Sequence, residues 1–273
     1  MSKVAIIDAD SLLYYEMGKP TLEEALEGLR SRIHQILLET NSTYYIGYLT
    51  LGKCYRYEKA KSKPYKNGRS KAKPKPPIFY ALRAALQQDP YNFVGLNTVE
   101  ADDLVAISAD ILQDSGYECV IASPDKDVIN QIPGTHYNYG KAETIVTTEE
   151  MAEKFLWTQV LMGDSTDGIP GIPGMGIKGA EKLLNDIPDV YTMSQVCLDA
   201  YMAKFGRDRG MHKFYETYTL VRILRDNEEL EDQCGIRLPQ TLLVLRESET
   251  LEIPETSEED TEEVTGEKPR LWE

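Results

Sequence analysis

No stretch of the 273 residues approaches the ~20 uncharged apolar residues that a membrane-spanning helix needs. No signal-peptide pattern is expected either, because MSKVAIID runs directly into a strand-like segment. Cysteine is sparse: Cys54, Cys119, Cys197 and Cys234 stand far apart without a CxxC pair. None of the 3 histidines stands at metal-ligand spacing. These absences exclude a zinc site and imply reduced thiols in a cytoplasmic compartment. Positive net charge is lacking too, since 30 Lys+Arg against 45 Asp+Glu gives -15 at pH 7. What is present is a 41% hydrophobic chain of mean hydropathy -0.41, long enough for one large domain or two intimate ones.

The acidic total conceals regions of opposite charge. Residues 247–273 hold eleven acids and two bases, so the tail alone carries -9. It has few large apolar residues and is expected to be disordered. Residues 53–75 (KCYRYEKAKSKPYKNGRSKAKPK) hold ten bases and one acid. An acidic sum therefore does not exclude a nucleic-acid partner.

Lys3–Ile7 reads as a short buried strand ending at Asp8. Thr21-x-x-Glu24 is a capping-box pattern, after which Leu22, Ala25, Leu26, Leu29, Ile33, Ile36 and Leu37 recur at helical spacing. Thr43–Leu49 reads as the next strand, and prolines at 64, 74, 76 and 77 argue against a continuous helix in the basic stretch. Phe79–Leu86 is predicted helical and Tyr91–Val94 a strand. Glu100–Ser115 is an amphipathic helix stopped by Gly116, and Glu118–Ala122 is a strand leading into Ser-Pro-Asp-Lys-Asp. Strands alternating with helices imply an α/β domain on a largely parallel sheet over residues 1–150, with helices dominating 151–246.

The acids fall where such a fold would gather them. Asp8 follows one strand, and Asp125 and Asp127 follow another, so the three can converge beyond the carboxyl ends of the sheet. Glu100, Asp102 and Asp103 occupy the first turn of a helix, and Asp164 and Asp167 precede a glycine-rich stretch. Singly, each is an ordinary turn or helix-start acid. Together they would repel without a compensating cation, and hard divalent ions with oxygen ligands are the natural solution. Mg²⁺ is the expected ion, Mn²⁺ a substitute, and two ions ~4 Å apart would suit in-line phosphodiester hydrolysis.

The basic segment could be a solvated face, but Tyr55, Tyr57 and Tyr65 interleave it. Bases neutralise phosphates and aromatics stack on nucleobases, which suits a single strand or frayed end. Gly168-Ile-Pro-Gly-Ile-Pro-Gly-Met-Gly-Ile-Lys-Gly-Ala180 permits close backbone approach and leads into a helix near Lys178. A phosphate-binding hairpin is the reading to weigh against a plain tight turn.

These residues together resemble the 5′-nuclease (flap endonuclease) superfamily, and most closely its small bacteriophage 5′→3′ exonucleases. The likeness runs from about Val4 to Leu184, with an outer bound at Arg225. IIDAD (6–10) is similar to the N-terminal metal motif and implies a metal role for Asp8. PYKNGR (64–69) is similar to the arch-base motif of a basic arch over 53–77. It implies that Lys66 and Arg69 contact the scissile phosphate and that Tyr65 stacks on a terminal base, with Arg56, Lys63 and Lys71 as further substrate contacts. VEADD (99–103) and SPDKD (123–127) carry metal roles to Glu100, Asp102, Asp103, Asp125 and Asp127. MGDSTDGIPGIPGMGIKGA (162–180) resembles the second-metal acids Asp164 and Asp167 joined to a helix–three-turn–helix, with Gly171, Gly174, Gly176 and Lys178 toward duplex DNA. The resemblance also implies a PIN-like fold and K⁺ in that turn. Its substrates would be 5′ ends, flaps and nicks of DNA and RNA–DNA hybrids. It further implies replication proteins as partners, a monomeric state and a host-cytoplasm location if the chain is phage-encoded. One departure stands out: the family aspartate after the second strand is matched by Leu51 or Thr50, neither of them an acid, with Asp10 as the residue that could compensate.

Two other readings compete. Asp8-x-Asp10 with Gly163-Asp164-x-x-Asp167 mimics haloacid-dehalogenase phosphohydrolases, though VEADD and the glycine-rich turn stay unexplained. A non-catalytic, structure-specific DNA-binding protein is suggested by the apolar residue at 51.

Overall fold

The structure, a computed structural model, describes residues 2–67, 74–187 and 189–251. Strand β1 (Lys3–Asp8) is apolar from Val4 to Ile7 because it lies inside the sheet with both faces covered. The chain continues through α1 (Leu12–Glu16) and α2 (Leu22–Thr40) to β2 (Tyr44–Tyr48). Thr21 caps α2 by accepting the Glu24 N–H at 3.2 Å, and Asn41 closes it in the left-handed region at φ 51°. Beyond β2 come α3 (Arg56–Lys59), α4 (Pro77–Leu86), α5 (Ala101–Asp114) and β3 (Glu118–Ala122). Then α6 (Lys126–Gln131) precedes the hairpin β4 (Gly134–Asn138) and β5 (Glu143–Thr147).

With the late strand β8 (Arg246–Glu247), the sheet order is β5-β4-β3-β1-β2-β8, parallel from β4 to β2 and antiparallel at both edges. Alternate residues of β1 feed two cores. Ala5 and Ile7 pack with Leu29, Ile33 and Ile36 of α2 and Leu82 of α4. Val4 and Ile6 pack on the other face with Leu104, Val105 and Ile107 of α5. The expected PIN-like α/β sheet flanked by helices is the fold observed.

A third core joins α7 (Glu149–Met162), α8 (Ile177–Leu184), α9 (Val190–Phe205) and α10 (Arg207–Val221) around Leu156, Trp157, Tyr201 and Phe214. Cys54 and Tyr65, from the base of the basic segment, are part of it. The two-residue strands β6 (Gly163–Asp164) and β7 (Ile169–Pro170) pinch the turn between α7 and α8. The chain then runs through α11 (Asn227–Cys234) to the edge strand β8 (Arg246–Glu247).

Three sequence expectations change. Tyr91–Val94 is no strand; Val94 alone bridges Tyr48, while Tyr91 and Phe93 fill the core. The hairpin β4–β5 was not expected. Residues 247–251, assigned by composition to the tail, belong to the fold: Glu247 pairs with Tyr44 and Leu251 is buried in the first core. The rest of that tail, 252–273, lies outside the described residues. Among the described residues no helix is long and apolar enough to cross a membrane.

Candidate functional site

Strand order reverses around β1, and the crevice at the carboxyl ends of its neighbours is where an open α/β sheet places a ligand. There a cavity of about 450 Å³ is lined by Asp8 from β1, Asp10 just after it, Glu100 and Asp102 from the start of α5, and Asp125 after β3. Tyr14, Tyr57, Lys66 and Arg83 form its other walls. A smaller recess of about 30 Å³ is lined by Asp102, Asp127, Asp164 and Asp167 with Arg56, Tyr65 and Gln159. Asp102 faces both. The sequence-predicted acids other than Asp103 thus fall into two adjoining groups that share one carboxylate.

Local hydrogen bonds aim these acids. Asp8 accepts the Ser123 hydroxyl at 2.8 Å through Oδ2, and its carbonyl accepts the Tyr139 hydroxyl at 2.9 Å. Asp125 accepts the Asp127 N–H at 2.7 Å, which caps α6. Asp127 accepts from Gln159 Nε2 at 2.6 Å, and Asp164 accepts the Thr166 N–H at 2.7 Å. Burial, reinforced by Asp10, pushes the Asp8 carboxyl up to about 7. Burial and then Asp103 and Glu100 hold Asp102 well above the usual carboxylate range. Asp10 is raised by burial, and Asp127 by burial and Asp125. Nearby cations do not offset burial at these carboxylates, even at Asp127, where Lys126 Nζ pairs at 3.1 Å.

Glu100 behaves oppositely. Burial would raise it, but Arg56 and Lys66 outweigh burial and hold it at about 2. Lys66 Nζ pairs with Glu100 Oε1 and lies 3.6 Å from Asp167 Oδ2. Its backbone is in the left-handed region at φ 53°, fixed by its N–H donating to the Asp167 carbonyl at 2.7 Å. The ammonium therefore spans the two acid groups.

The family model described as "5'-3' exonuclease, N-terminal resolvase-like domain" matches residues 3–156. The chain belongs to this family, the 5′-nuclease or flap endonuclease superfamily, and is a nuclease. A flap endonuclease Xni of Shewanella halifaxensis is 30% identical over 248 residues, covering 83% of this chain and 94% of the relative. Among solved structures, a T5 protein co-crystallised with metal ions superposes with TM-score 0.66 at 17% identity, over 92% of this chain and 100% of that one. A bacteriophage T5 flap endonuclease, as a pseudo-enzyme–product complex with DNA and metal ions, gives 0.58 at 16%, over 80% and 99%. At such identities the structures establish the fold.

Within this 5′-nuclease several expected site residues sit differently from the resemblance. Arg56, expected at the substrate, is 2% exposed; its Nη atoms donate to Asp103 Oδ1 and Oδ2, both at 2.7 Å, and to Glu100 at 3.1 Å. Asp103, expected among metal ligands, is fully buried as its partner and also accepts the Leu224 N–H at 2.9 Å. A buried guanidinium and carboxylate hold each other because either alone would be too costly. Tyr65, expected to stack on a base, is buried with its hydroxyl donating to Glu100 at 2.8 Å. The half-exposed ring of Tyr57 stands edge-on to it at 5.2 Å and faces the crevice instead.

Lys63 is exposed, and Arg69 and Lys71 lie outside the described residues. Gly171 serves packing, since a Cβ there would lie 2.1 Å from the Met162 carbonyl carbon. Gly174 (φ +84°) and Gly176 stand in open space, and Gly176 caps α8 with Lys178 exposed in its first turn. Sequence reasoning missed Ser123, Tyr139 and Arg83 and named Thr50 only as an alternative to Leu51, yet all four orient the acids or their neighbours. Only Ser123 carried a signal, its place inside SPDKD.

The all-oxygen donor set and the raised Asp8 and Asp102 fit hard divalent cations. Among the described residues no three such side chains stand close enough to share an ion as placed. Lys66 and Arg56 account for this at Glu100, whose oxygens they engage.

Proposed function

We propose that this nuclease hydrolyses phosphodiesters at the 5′ ends of duplex, nicked or flapped DNA, using two divalent ions, Mg²⁺ or Mn²⁺. The observation that carries the proposal is the pair of acid groups sharing Asp102, with the Lys66 ammonium lodged between Glu100 and Asp167. Asp8, Glu100, Asp102 and Asp125 would hold one ion, and Asp102, Asp127, Asp164 and Asp167 the other. The bound ions supply Lewis acidity toward the attacking water and the leaving oxygen. The metal ions in the T5 structures support a metal requirement, and the DNA in one of them supports the substrate class.

Lys66 then has a second role. Released from Glu100, its ammonium is free to stabilise charge on the scissile phosphate, with Arg69 expected beside it. Tyr57 replaces Tyr65 as the aromatic surface open to a base. The exposed Lys63 and Lys178 add general attraction to phosphates. K⁺ in the turn, RNA–DNA hybrids, replication partners and a monomeric state rest on the family resemblance. The haloacid-dehalogenase reading and the non-catalytic reading are not favoured by the family match.

The test compares 5′-labelled and 3′-labelled flapped and nicked duplexes with Mg²⁺, with Mn²⁺ and with chelator. Short 5′-terminal products that disappear in chelator are expected, and Asp125→Asn should remove them while DNA is still bound. Strong cleavage in excess chelator would overturn the metal assignment. Metal-bound protein that binds flaps without cutting them would restore the non-catalytic reading.

A further inference from the structure

Position 51, at the end of β2, holds an apolar residue on the wall of a carboxylate crevice. Leu51 is half-buried and packs against the first core, with its Cγ beside the Gly95 backbone. It offers no oxygen to a cation. An oxygen donor nevertheless stands at this point of the wall, arriving from the neighbouring strand. Asp10 lines the same cavity, and its Oδ1 accepts the N–H of Thr50, the residue next to Leu51, at 3.1 Å.

Thr50 is itself held from three sides. Its N–H goes to Asp10, its carbonyl accepts from Arg83 Nη2 of α4, and its Oγ1 accepts the Ala101 N–H at 2.9 Å. The ends of β1 and β2 and the start of α5 are thereby tied to one residue. Asp10 is placed by that tie and not by side-chain freedom. A carboxylate has two oxygens with about four acceptor positions; the Thr50 N–H uses one and the Thr50 hydroxyl a second. Asp8 is two residues away, and its Oδ1 accepts the Asp10 N–H at 3.3 Å, which keeps the two carboxylates on one side of the crevice.

We infer that Asp10 is a metal-site carboxylate of this chain, acting at the end of β2 where Leu51 supplies none, either directly or through a metal-held water. The inference rests on the metal-dependent reading above and adds a residue to it. The competing role is structural: Asp10 would merely cap the Thr50 N–H. The two roles differ in what an amide does. Asparagine keeps an oxygen for the Thr50 N–H and removes the negative charge, so a cap survives Asp10→Asn and a cation ligand does not.

The experiment is Mn²⁺ titration of the free protein followed by electron paramagnetic resonance, with thermal melts in chelator to confirm folding. Asp10→Asn should melt no lower than wild type and bind Mn²⁺ at least ~10-fold more weakly at one site, the scale on which support of a metal site is lost. Adding Leu51→Asp to Asp10→Asn should recover most of that loss, because it returns a carboxylate to the same wall. Should the double variant not fold, Asp10→Glu serves instead, retaining the charge and binding more tightly than Asp10→Asn. Unchanged Mn²⁺ affinity in folded Asp10→Asn would overturn the inference and leave the metal reading intact. Wild-type protein without saturable Mn²⁺ binding would overturn both.

Discussion

At the scale of single residues, charge balance decides which acids are open to chemistry. Arg56 satisfies Asp103, so that pair is a strut across α3, α5 and the Arg222–Leu224 segment, whose backbone both side chains reach. Arg56→Ala leaves a buried carboxylate unpaired and should cost ~3–5 kcal/mol in a urea unfolding experiment. A mere loss of DNA affinity at unchanged stability would return Arg56 to the substrate. Lys66 is different because its partners are the acids of the crevice. Burial opposes its charge, and Glu100 and Asp167 more than offset that, so the ammonium stays protonated. Lys66→Ala should lower the single-turnover cleavage rate by ~10²-fold or more while easing Mn²⁺ binding, since a competing cation is gone. Lys63→Ala, at an exposed position, should weaken DNA binding and shallow its salt dependence by about one phosphate contact. The family resemblance located Arg56, Lys63, Lys66, Glu100, Asp103 and Asp167 in the sequence, and nothing there pointed to the Arg222–Leu224 segment. The resemblance could not separate Asp102 from Asp103, because the adjacent acids differ only in which side of α5 meets Arg56.

At the scale of elements, periodicity and capping made α2, α4, α5, β1, β2 and β3 legible from the residues alone. The hairpin β4–β5 was not, because the exposed side chains of β5 and the short GTHYN run give no alternation to detect. The tail boundary failed for a related reason: β8 is two residues long, and Leu251 stands between Glu249 and Glu252. Truncation after Leu251 removes no described element, whereas truncation after Arg246 removes the pairing with Tyr44 and a core side chain. The longer truncation should therefore lower the melting temperature and the shorter one leave it unchanged, with the saturated cleavage rate following the same order. The glycine-rich turn divides similarly. Gly171→Ala meets backbone and should destabilise by ~1–3 kcal/mol, the usual cost of overpacking. Gly176→Ala meets open space, so any effect on DNA binding there reads the turn as a contact surface.

At the scale of the whole molecule, the fold concentrates its unbalanced negative charge at the point where strand order reverses. Asp8 titrates at about 7 in the folded protein, pushed up first by burial and then by Asp10, against about 4 in an unfolded chain. A raised folded value means that the folded state binds the proton more tightly. Its stabilising contribution is thus complete below about pH 4 and is lost as pH rises through about 7. Asp102 and Asp127 are raised as well and act in the same direction. Glu100, lowered to about 2 because Arg56 and Lys66 outweigh its burial, contributes above its unfolded value and loses that contribution only as pH falls toward 2. The two windows barely overlap. Metal-free protein should accordingly melt at a lower temperature near pH 8 than near pH 5, and Asp8→Asn should reduce that difference. Saturating Mn²⁺ should raise stability most at the higher pH, because deprotonated carboxylates bind the ion and only the folded state assembles them. Thermal melts at both pH values, with chelator and with Mn²⁺, measure all of this together. A chelated protein that is more stable near pH 8 would mean that the crevice acids already have their counter-charge, and that no cation is needed to hold them together.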